Sequence, residues 1–162
     1  MLYTDRFLVT MADVDAAGII YFASPLRWAE RLCTHWIHSL GHPHRQLFSE
    51  GFATPVVNVT VDYRSHLSLD DEIRLELTAG QIGTTSFTLR LQAFIERHGG
   101  SAPQSGGGLA AGTAAVEVRT THVFSRYVHP SYDHGARTVK QLLPGWLRSA
   151  LQPDCSEQAV VS

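Results

Sequence analysis

The spacing of apolar residues changes once along this chain, and that change limits the folds that it can adopt. Between residues 26 and 40 the apolar side chains recur at helical spacing, at Leu26, Ala29, Cys33, Trp36, Ile37 and Leu40. From about Thr54 they recur at every second position, as on one face of a strand, in the segments 57–63, 73–77 and 87–93. Strands joined by short turns form an antiparallel sheet, and a single amphipathic helix buries its apolar stripe against that sheet. The sequence therefore predicts an α+β fold in which an antiparallel sheet wraps around one long central helix.

The predicted helix has sequence signals at both of its ends. Ser24 is predicted to be the N-cap and Pro25 the first helical residue, while Gly41 and Pro43 end the helix. A first strand is predicted over 2–11, a half-buried strand over 57–63 and a last long strand over 116–124. A short helical piece over 139–151, interrupted at Pro144, follows that last strand.

The whole chain, residues 1–162, is predicted to be a single domain, since 162 residues are enough to bury one hydrophobic core. The segment 99–112 is rich in glycine and lies between two predicted strands. We therefore interpret it as a flexible loop rather than as a domain boundary. Residues 152–162 are expected to form a loose tail.

Charge and cysteine content narrow the expected partners and compartment. The formal net charge of -2 gives no reason to expect nucleic acid or an anionic membrane surface as a partner. No apolar run reaches the ~18 residues of a transmembrane helix, and the first residues lack the pattern of a secretory signal. Cys33 and Cys155 do not suggest a disulfide framework. We therefore expect a cytoplasmic protein.

The segment from Asp13 to Phe22, directly before the helix, is the best candidate for chemistry. It contains two aspartates, Asp13 and Asp15, and a glycine, Gly18, that lets the backbone approach a ligand closely. The start of a helix offers unpaired N–H groups and a partial positive charge. A carboxylate beside that terminus forms a base or nucleophile next to an oxyanion hole, which suits attack on a carbonyl. The alternative is that both aspartates only form turns or cap the helix.

The residues Asp15-Ala-Ala-Gly-Ile-Ile-Tyr-Phe22, followed by Arg27-Trp28, resemble a known active-site loop and central helix. They are similar to those of hotdog-fold thioesterases of the 4-hydroxybenzoyl-CoA thioesterase type. The resemblance extends over residues 3–126, through Thr54-Pro55, Asp70-Asp71 and Thr85-Ser86-Phe87. The residues of the loop are more similar to thioesterases that act on 1,4-dihydroxy-2-naphthoyl-CoA, and they are also similar to members that act on short-chain acyl-CoA. The loop alone does not separate these groups.

The resemblance implies an acyl-CoA thioesterase with a hotdog fold, acting on an aromatic acyl-CoA. Asp15 matches the catalytic carboxylate, and Phe22 matches the position whose backbone N–H polarises the thioester carbonyl. Gly18, Tyr21 and Thr54 fall at positions that contact the substrate, and Asp13 is assigned a turn or hydrogen-bonding role. The resemblance implies no cofactor and no metal. It also implies a homodimer or homotetramer whose active sites lie between protomers, which agrees with the need to cover the edges of an open sheet.

One segment departs from the family pattern. Aromatic-acyl members of the family carry a basic cluster just before Ser86-Phe87, whereas residues 81–85 here have no charge. The phosphates of CoA would have to meet other groups, such as Arg64, Arg90, Arg126 or backbone amides.

Two other functions remain open at this point. A non-catalytic hotdog module could hold an acyl-CoA without cleaving it, but such a module has no need for an acid at Asp15. A hotdog dehydratase would instead use a residue of the central helix, with Glu30 or His35 as the candidates. His122 lies on the apolar register of the last strand, which favours a hydrogen-bonded core or interface histidine over a catalytic assistant. Several histidines in or near the helix lack the partners of a metal site, so we interpret them as solvated or capping: His35, His38, His42, His44 and His66.

Overall fold

The computed structural model describes residues 1–99, 112–128 and 137–152 of the chain. Most of the predicted loop 99–112 and of the predicted tail 152–162 lies outside the described residues, as does Cys155.

The described residues form eight strands and three helices. The strands are β1 (Tyr3–Leu8), β2 (Phe52–Ala53), β3 (Val56–Tyr63), β4 (Glu72–Ile82), β5 (Ser86–Arg97), β6 (Val116–Val123), β7 (Ser125–Val128) and β8 (Arg137–Lys140). The helices are α1 (Ser24–Ser39), α2 (His44–Ser49) and α3 (Gly145–Leu151). No helix in the described ranges is both long enough and apolar enough to cross a lipid bilayer.

The main sheet has five antiparallel strands in the order β1-β4-β5-β6-β3. Its inner face is the apolar register of β4, β5 and β6, and α1 packs over β1, β4 and β6. The side chains buried between them include Trp28, Leu32, Trp36, Ile37, Ile73, Leu75, Leu77, Phe87, Leu89, Leu91, Val116 and Val118. The predicted α+β architecture, a sheet around one central helix, is confirmed.

The start of α1 differs from the prediction. Ala23, not Ser24, is the N-cap, and no side chain caps the helix. Ser24 is the first helical residue and is fully buried, and its hydroxyl donates to the Asp13 carbonyl oxygen at 2.7 Å. The far end agrees with the prediction, since Gly41 follows the helix with a φ of +80°, a conformation that favours glycine.

The prediction that the strand over 57–63 is half-buried is wrong. Nearly every residue of β3 is exposed, including Val57 at 60%, Val59 at 42% and Tyr63 at 48%. The physical reason is position, because β3 is an edge strand that pairs only with β6 in the main sheet. Alternation of apolar and polar residues indicates a strand with one apolar face. It does not indicate whether other residues of the same chain cover that face.

The C-terminal part also differs from the prediction of a helical piece over 139–151. Val139 belongs to strand β8, and the helix occupies only Gly145–Leu151, after Pro144. β8 pairs with β7, and β7 pairs with the two-residue strand β2, forming a second, three-stranded sheet. Neither this small sheet nor α2 was predicted, since each consists of segments too short to show a period.

Candidate active site

Asp13 holds the loop that precedes α1. One carboxylate oxygen, Oδ2, accepts hydrogen bonds from the backbone N–H and the hydroxyl of Thr10, at 3.0 and 2.8 Å. The other, Oδ1, accepts from the indole Nε1 of Trp28 at 2.9 Å, and the Arg27 guanidinium lies 3.9 Å away. Burial alone would raise the pKa of this carboxyl. The hydrogen bonds from Thr10 and Trp28, together with Arg27, outweigh burial and hold the pKa below its ordinary value of 3.8. Asp13 therefore has the hydrogen-bonding role that the sequence predicts.

Replacing Asp13 with Ala is expected to lower the free energy of unfolding by about 1–3 kcal/mol near neutral pH, because the Trp28 and Thr10 donors lose their acceptor. The depressed pKa means that this stabilisation is present above pH 3.8 and is lost as the pH falls through the still lower pKa of the folded state. Denaturant titrations of both proteins should show a difference that narrows below pH 3.8. A difference that stayed constant as the pH fell would contradict the assignment.

Asp15 lies at a tight turn of the same loop, and its side chain is exposed. Its Oδ1 accepts a hydrogen bond from the Ala17 N–H at 2.8 Å, and its carbonyl accepts one from the Gly18 N–H at 3.0 Å. Gly18 has a φ of +74°, which glycine adopts without the strain of a Cβ. No described residue donates a hydrogen bond to the second carboxylate oxygen, Oδ2. The loop therefore holds the Asp15 carboxylate through Oδ1 and leaves Oδ2 free of hydrogen bonds from the described residues.

Tyr21 and Phe22 join this loop to α1. The Tyr21 N–H donates to the Asp13 carbonyl at 2.8 Å, which sets the path of the chain into the helix. In the part of the chain that the structure describes, no oxygen accepts a hydrogen bond from the Phe22 N–H. The Phe22 carbonyl accepts from the hydroxyl of Tyr63, at the end of β3, and burial raises the pKa of the Tyr63 phenol above 10.0. Hydrogen bonds of the neighbouring Tyr21 N–H and of the Phe22 carbonyl therefore position the Phe22 amide, and its N–H has no acceptor within the described residues. An oxyanion site requires such a donor.

The segment 67–71 is hydrogen-bonded to the loop that precedes α1. The Ile20 N–H donates to the Leu67 carbonyl at 2.9 Å, and the Leu69 N–H donates to the Gly18 carbonyl at 3.0 Å. Asp71, only 2% exposed, shapes this segment because its Oδ2 accepts from the Ser68 N–H at 2.8 Å. The sequence analysis missed this support, because the adjacent aspartates Asp70 and Asp71 are typical of a turn and do not show which of the two side chains is buried.

A cavity of about 270 Å³ lies between α1 and the sheet. Thr54, predicted to contact the substrate, belongs to its lining, and Cys33 forms part of the α1 wall. Burial, with a smaller contribution from Glu30, raises the pKa of the Cys33 thiol to about 12, so the thiol stays neutral. The lining residues are Leu26, Ala29, Glu30, Cys33, Thr34, His44, Thr54, Val56, Val59, Thr120 and His122. A second, more open cavity of about 380 Å³ shares Glu30, Thr34, His44 and Thr54 with the first.

His122 is a buried, hydrogen-bonded histidine in the wall of the first cavity. Its ring stacks on Phe87 at a centroid distance of 5.0 Å, and only 6% of the residue is exposed. Nδ1 lies 3.2 Å from the Thr54 carbonyl oxygen, and Nε2 lies 2.8 Å from the Thr120 hydroxyl. Burial lowers the pKa of the imidazole below 6.5, His44 lowers it further, and the Thr54 carbonyl acts in the opposite direction. His122 is therefore neutral at physiological pH, which matches the core histidine that the sequence predicts.

Glu30 and His35, the two candidate residues for a dehydratase, lie in different surroundings. Glu30 lines both cavities, whereas His35 is exposed and packs edge-on against Tyr3 at 6.0 Å, outside the lining of either one. Among the described residues, no three His, Cys, Asp or Glu side chains converge as metal ligands would. That the protein needs no metal stays a prediction made from the sequence.

The loop before α1 holds the Asp15 carboxylate and the Phe22 amide, and a cavity of about 270 Å³ lies along α1 itself. A model of the thioesterase-like superfamily matches residues 9–149. The chain belongs to the thioesterase-like superfamily. The family predicted from the sequence is confirmed.

Named relatives of this thioesterase-like protein include two cyanobacterial enzymes. The 1,4-dihydroxy-2-naphthoyl-CoA hydrolase of Thermosynechococcus vestitus is 26% identical over 143 residues, which are 88% of this chain and 86% of that protein. The 1,4-dihydroxy-2-naphthoyl-CoA hydrolase of Crocosphaera subtropica is 30% identical over 91 residues. That second match spans 56% of this chain and 66% of the relative, slightly under two thirds of its length.

Solved structures show the same fold. A 1,4-dihydroxy-2-naphthoyl-CoA thioesterase from Synechocystis superposes with a TM-score of 0.71 at 21% identity, covering 92% of this chain and 94% of that chain. A 4-hydroxybenzoyl-CoA thioesterase, as an Asp-to-Asn mutant complexed with 4-hydroxybenzoyl-CoA, superposes with a TM-score of 0.69 at 17% identity. That match covers 93% of this chain and 98% of the other. The predicted hotdog fold of this thioesterase-like protein is confirmed.

The predicted site residues of this thioesterase-like protein fall into two groups within the chain. Asp15, Gly18, Tyr21 and Phe22 lie together in the loop before α1. Thr54 lies on the cavity instead, and none of the four loop residues belongs to the lining of that cavity. Leu26 and Ala29, in the first half of α1, connect the two groups.

Proposed function

We propose that this chain hydrolyses an aromatic acyl-CoA thioester to the free acid and CoA. The observation that carries the proposal is the Asp15 carboxylate in the same loop as the Phe22 N–H, which donates to no described residue. A carboxylate beside a free donor provides a base or nucleophile and a site for the oxyanion. The predicted enzyme class, a thioester hydrolase, is confirmed by the superfamily and by the two cyanobacterial relatives.

The chemistry needs one carboxylate and one water. In a covalent route, an Asp15 oxygen bonds to the thioester carbon, the C–S bond breaks, and water then cleaves the mixed anhydride. In a water-activated route, Asp15 takes a proton from a water whose oxygen bonds to the same carbon. In both routes the departing sulfur ends as the CoA thiol, and the Phe22 N–H stabilises the negative oxygen in between. We propose Asp15 and Phe22 for these roles without choosing between the routes.

The cavity along α1 supports an aromatic acyl group. Its volume of about 270 Å³ equals about nine water molecules at ~30 Å³ each, which suits a ring rather than a long chain. Most of its wall area is apolar, and polar side chains such as Thr54 lie among the lining residues. We propose that the acyl group occupies this cavity, with Thr54 in contact and with Gly18 and Tyr21 nearer the thioester.

We propose further that the protein is a homodimer, or a homotetramer built from such dimers, joined at β3. That edge strand exposes Val57 and Val59, and in the described sheet nothing pairs with its outer side. The Tyr63 hydroxyl bonds to the Phe22 carbonyl, so the same edge lies beside the proposed oxyanion site. A second copy at β3 would therefore help to enclose the thioester. A cytoplasmic location and the lack of any cofactor remain predictions from the sequence.

Release of CoA thiol from a matched set of thioesters tests the proposal. The set includes benzoyl-, hydroxybenzoyl-, 1,4-dihydroxy-2-naphthoyl-, phenylacetyl- and straight-chain acyl-CoA. We expect turnover of aromatic thioesters, with kcat/KM above that of long straight-chain ones, because a cavity of about 270 Å³ suits a ring better than a long chain. If the protein binds these thioesters but cleaves none, it is an acyl-CoA-binding module and the proposed reaction is wrong.

A further inference from the structure

Glu30 supplies the carboxylate in the described linings of both cavities beside α1. Leu26 and Ala29, which precede it on α1, line only the first cavity, whereas Thr34, one turn later, lines both. The first cavity therefore meets the second at Glu30 and Thr34, on the side away from the start of α1. An acyl group whose thioester lies near the loop before α1 would direct its far end toward Glu30.

The negative charge of Glu30 has no fixed cation opposite it among the described residues. Its Oε1 accepts a hydrogen bond from the Thr34 hydroxyl at 3.0 Å, and no described residue donates to Oε2. In the part of the chain that the structure describes, neither lining contains an arginine or a lysine. A single neutral donor leaves a carboxylate charged, so Glu30 presents a negative charge and one free acceptor oxygen.

The other polar groups of the linings do not cancel that charge. His122 is neutral, since burial lowers its pKa and both of its ring nitrogens have hydrogen-bond partners. His44 lines both cavities, with its ring against Phe48 at a centroid distance of 5.9 Å, and it opposes Glu30 only when it is protonated. The remaining polar groups are a neutral thiol, at Cys33, and hydroxyls, which can donate or accept and so meet a ligand of either charge. The hydroxyls belong to Thr34, Thr54, Thr120 and Tyr127.

The charge of Glu30 acts on the wall of the first cavity. Cys33, only 6% exposed, follows Glu30 by one turn of α1 and belongs to that wall. Burial, and to a smaller extent the charge of Glu30, raise the pKa of the Cys33 thiol to about 12. A charge that disfavours a thiolate in this wall also disfavours an anionic group of a ligand beside it. The effect is strengthened because a mostly apolar wall screens charge poorly.

We propose that Glu30 selects acyl groups by their charge. A substituent at the far end of the acyl group is favoured when it is positively charged and disfavoured when it is a carboxylate. A cation gives the free Oε2 a charge-assisted hydrogen bond, whereas a carboxylate places two like charges in one apolar cavity. Glu30 is then a specificity-determining residue. The inference rests on the proposed function for the identity of the thioester, but the selection by charge is a property of the cavity alone.

Calorimetry with the Asp15→Asn protein tests the inference without turnover, at about pH 8.5, where an imidazole is ordinarily neutral. Two pairs of CoA thioesters differ in charge but little in shape. They are 4-carboxybenzoyl- against 4-carbamoylbenzoyl-CoA, and 4-(aminomethyl)benzoyl- against 4-(hydroxymethyl)benzoyl-CoA, each with its 3-substituted isomer. We expect the carboxylate to bind about tenfold more weakly than its amide, and the ammonium about tenfold more tightly than its alcohol. Equal Kd values within either pair, at both ring positions, would overturn the inference.

A second variant assigns the selection to Glu30. Glu30→Gln removes the charge and keeps an amide oxygen that can accept from Thr34. Added to the Asp15→Asn protein, it should reduce both tenfold differences to about twofold or less. Glu50→Gln is the matched control, because Glu50 is an exposed glutamate that directly follows α2 and is absent from both linings. It should leave both differences unchanged. Differences that survive Glu30→Gln overturn the assignment.

The two proposals fail in different ways. If the wild-type protein cleaves no thioester but the charge preference and its dependence on Glu30 are present, the proposed reaction is wrong and the inference stands. If thioesters are cleaved but the charged and neutral members of each pair bind equally, the proposed reaction stands and the inference is wrong.

Discussion

Replacing Asp15 with Asn should lower kcat for the best aromatic thioester by about three orders of magnitude, with little change in KM. An amide is neither a nucleophile nor a base, and removal of a general base or of an active-site electrostatic group costs roughly 10²–10⁴ in rate. The fold should be unaffected, since the side chain is exposed and the amide oxygen of Asn can still accept from the Ala17 N–H. Steady-state release of CoA thiol measures the effect, and thermal unfolding checks the fold.

Asp70→Asn is the matched control for that variant. Asp70 is also an exposed aspartate in a turn, with a φ of +68° that asparagine tolerates well. It should retain wild-type kcat, since no hydrogen bond to its carboxylate is present among the described residues and Asp70 is absent from the cavity lining. An Asp15→Asn protein within a few-fold of wild type would exclude Asp15 as nucleophile or base.

Placing a lysine at Val57 should separate the protomers of the proposed β3 dimer and remove most of the activity. Val57 is 60% exposed on the edge strand, and a two-fold interface would bring two copies of the new charge together. Because the proposed oxyanion residue is tied to β3 through Tyr63, separation of the protomers should expose that site to water. Light scattering after size exclusion gives the mass, and thiol release gives the activity.

Val139→Lys provides the comparison, because Val139 is 50% exposed on β8, in the other sheet. It should leave both mass and activity unchanged. If Val57→Lys has the mass of wild type and full activity, β3 is not the interface. If it is monomeric and fully active, each protomer holds a complete site.

The main elements could be predicted from the sequence because the apolar residues of each keep a regular spacing over many positions. The alternation of Ile73, Leu75 and Leu77 in β4 and the helical stripe of α1 were sufficient to place the sheet and its central helix. β3 shows the limit of that reasoning. Its alternation is as regular as that of β4, yet the chain leaves its apolar side chains exposed, since the covering surface is not encoded in the same segment.

The candidate site could be proposed from the sequence only where its residues lie close together along the chain, as they do between Asp15 and Phe22. Asp15 and Phe22 lie close in sequence to the start of α1, so the loop motif and the helix start were sufficient to propose them as site residues. The link between Tyr63 and Phe22 spans 41 residues, and that between His122 and Thr54 spans 68, and no local pattern reports such contacts. Ser24 was misassigned for the same reason, because its partner is a carbonyl in the preceding loop.

The loop before α1 and the acyl cavity are formed by different stretches of the chain, and this matters for redesign. The hydrogen bonds that shape the turn at Asp15 and Gly18 run largely through main-chain atoms, whereas the cavity is shaped largely by side chains of α1, β3 and β6. A mutant library confined to cavity positions such as Cys33, Val59 and Thr120 should therefore vary the accepted acyl group and leave the proposed reacting loop intact. Under the proposed function, substrate range and reaction type can be changed separately.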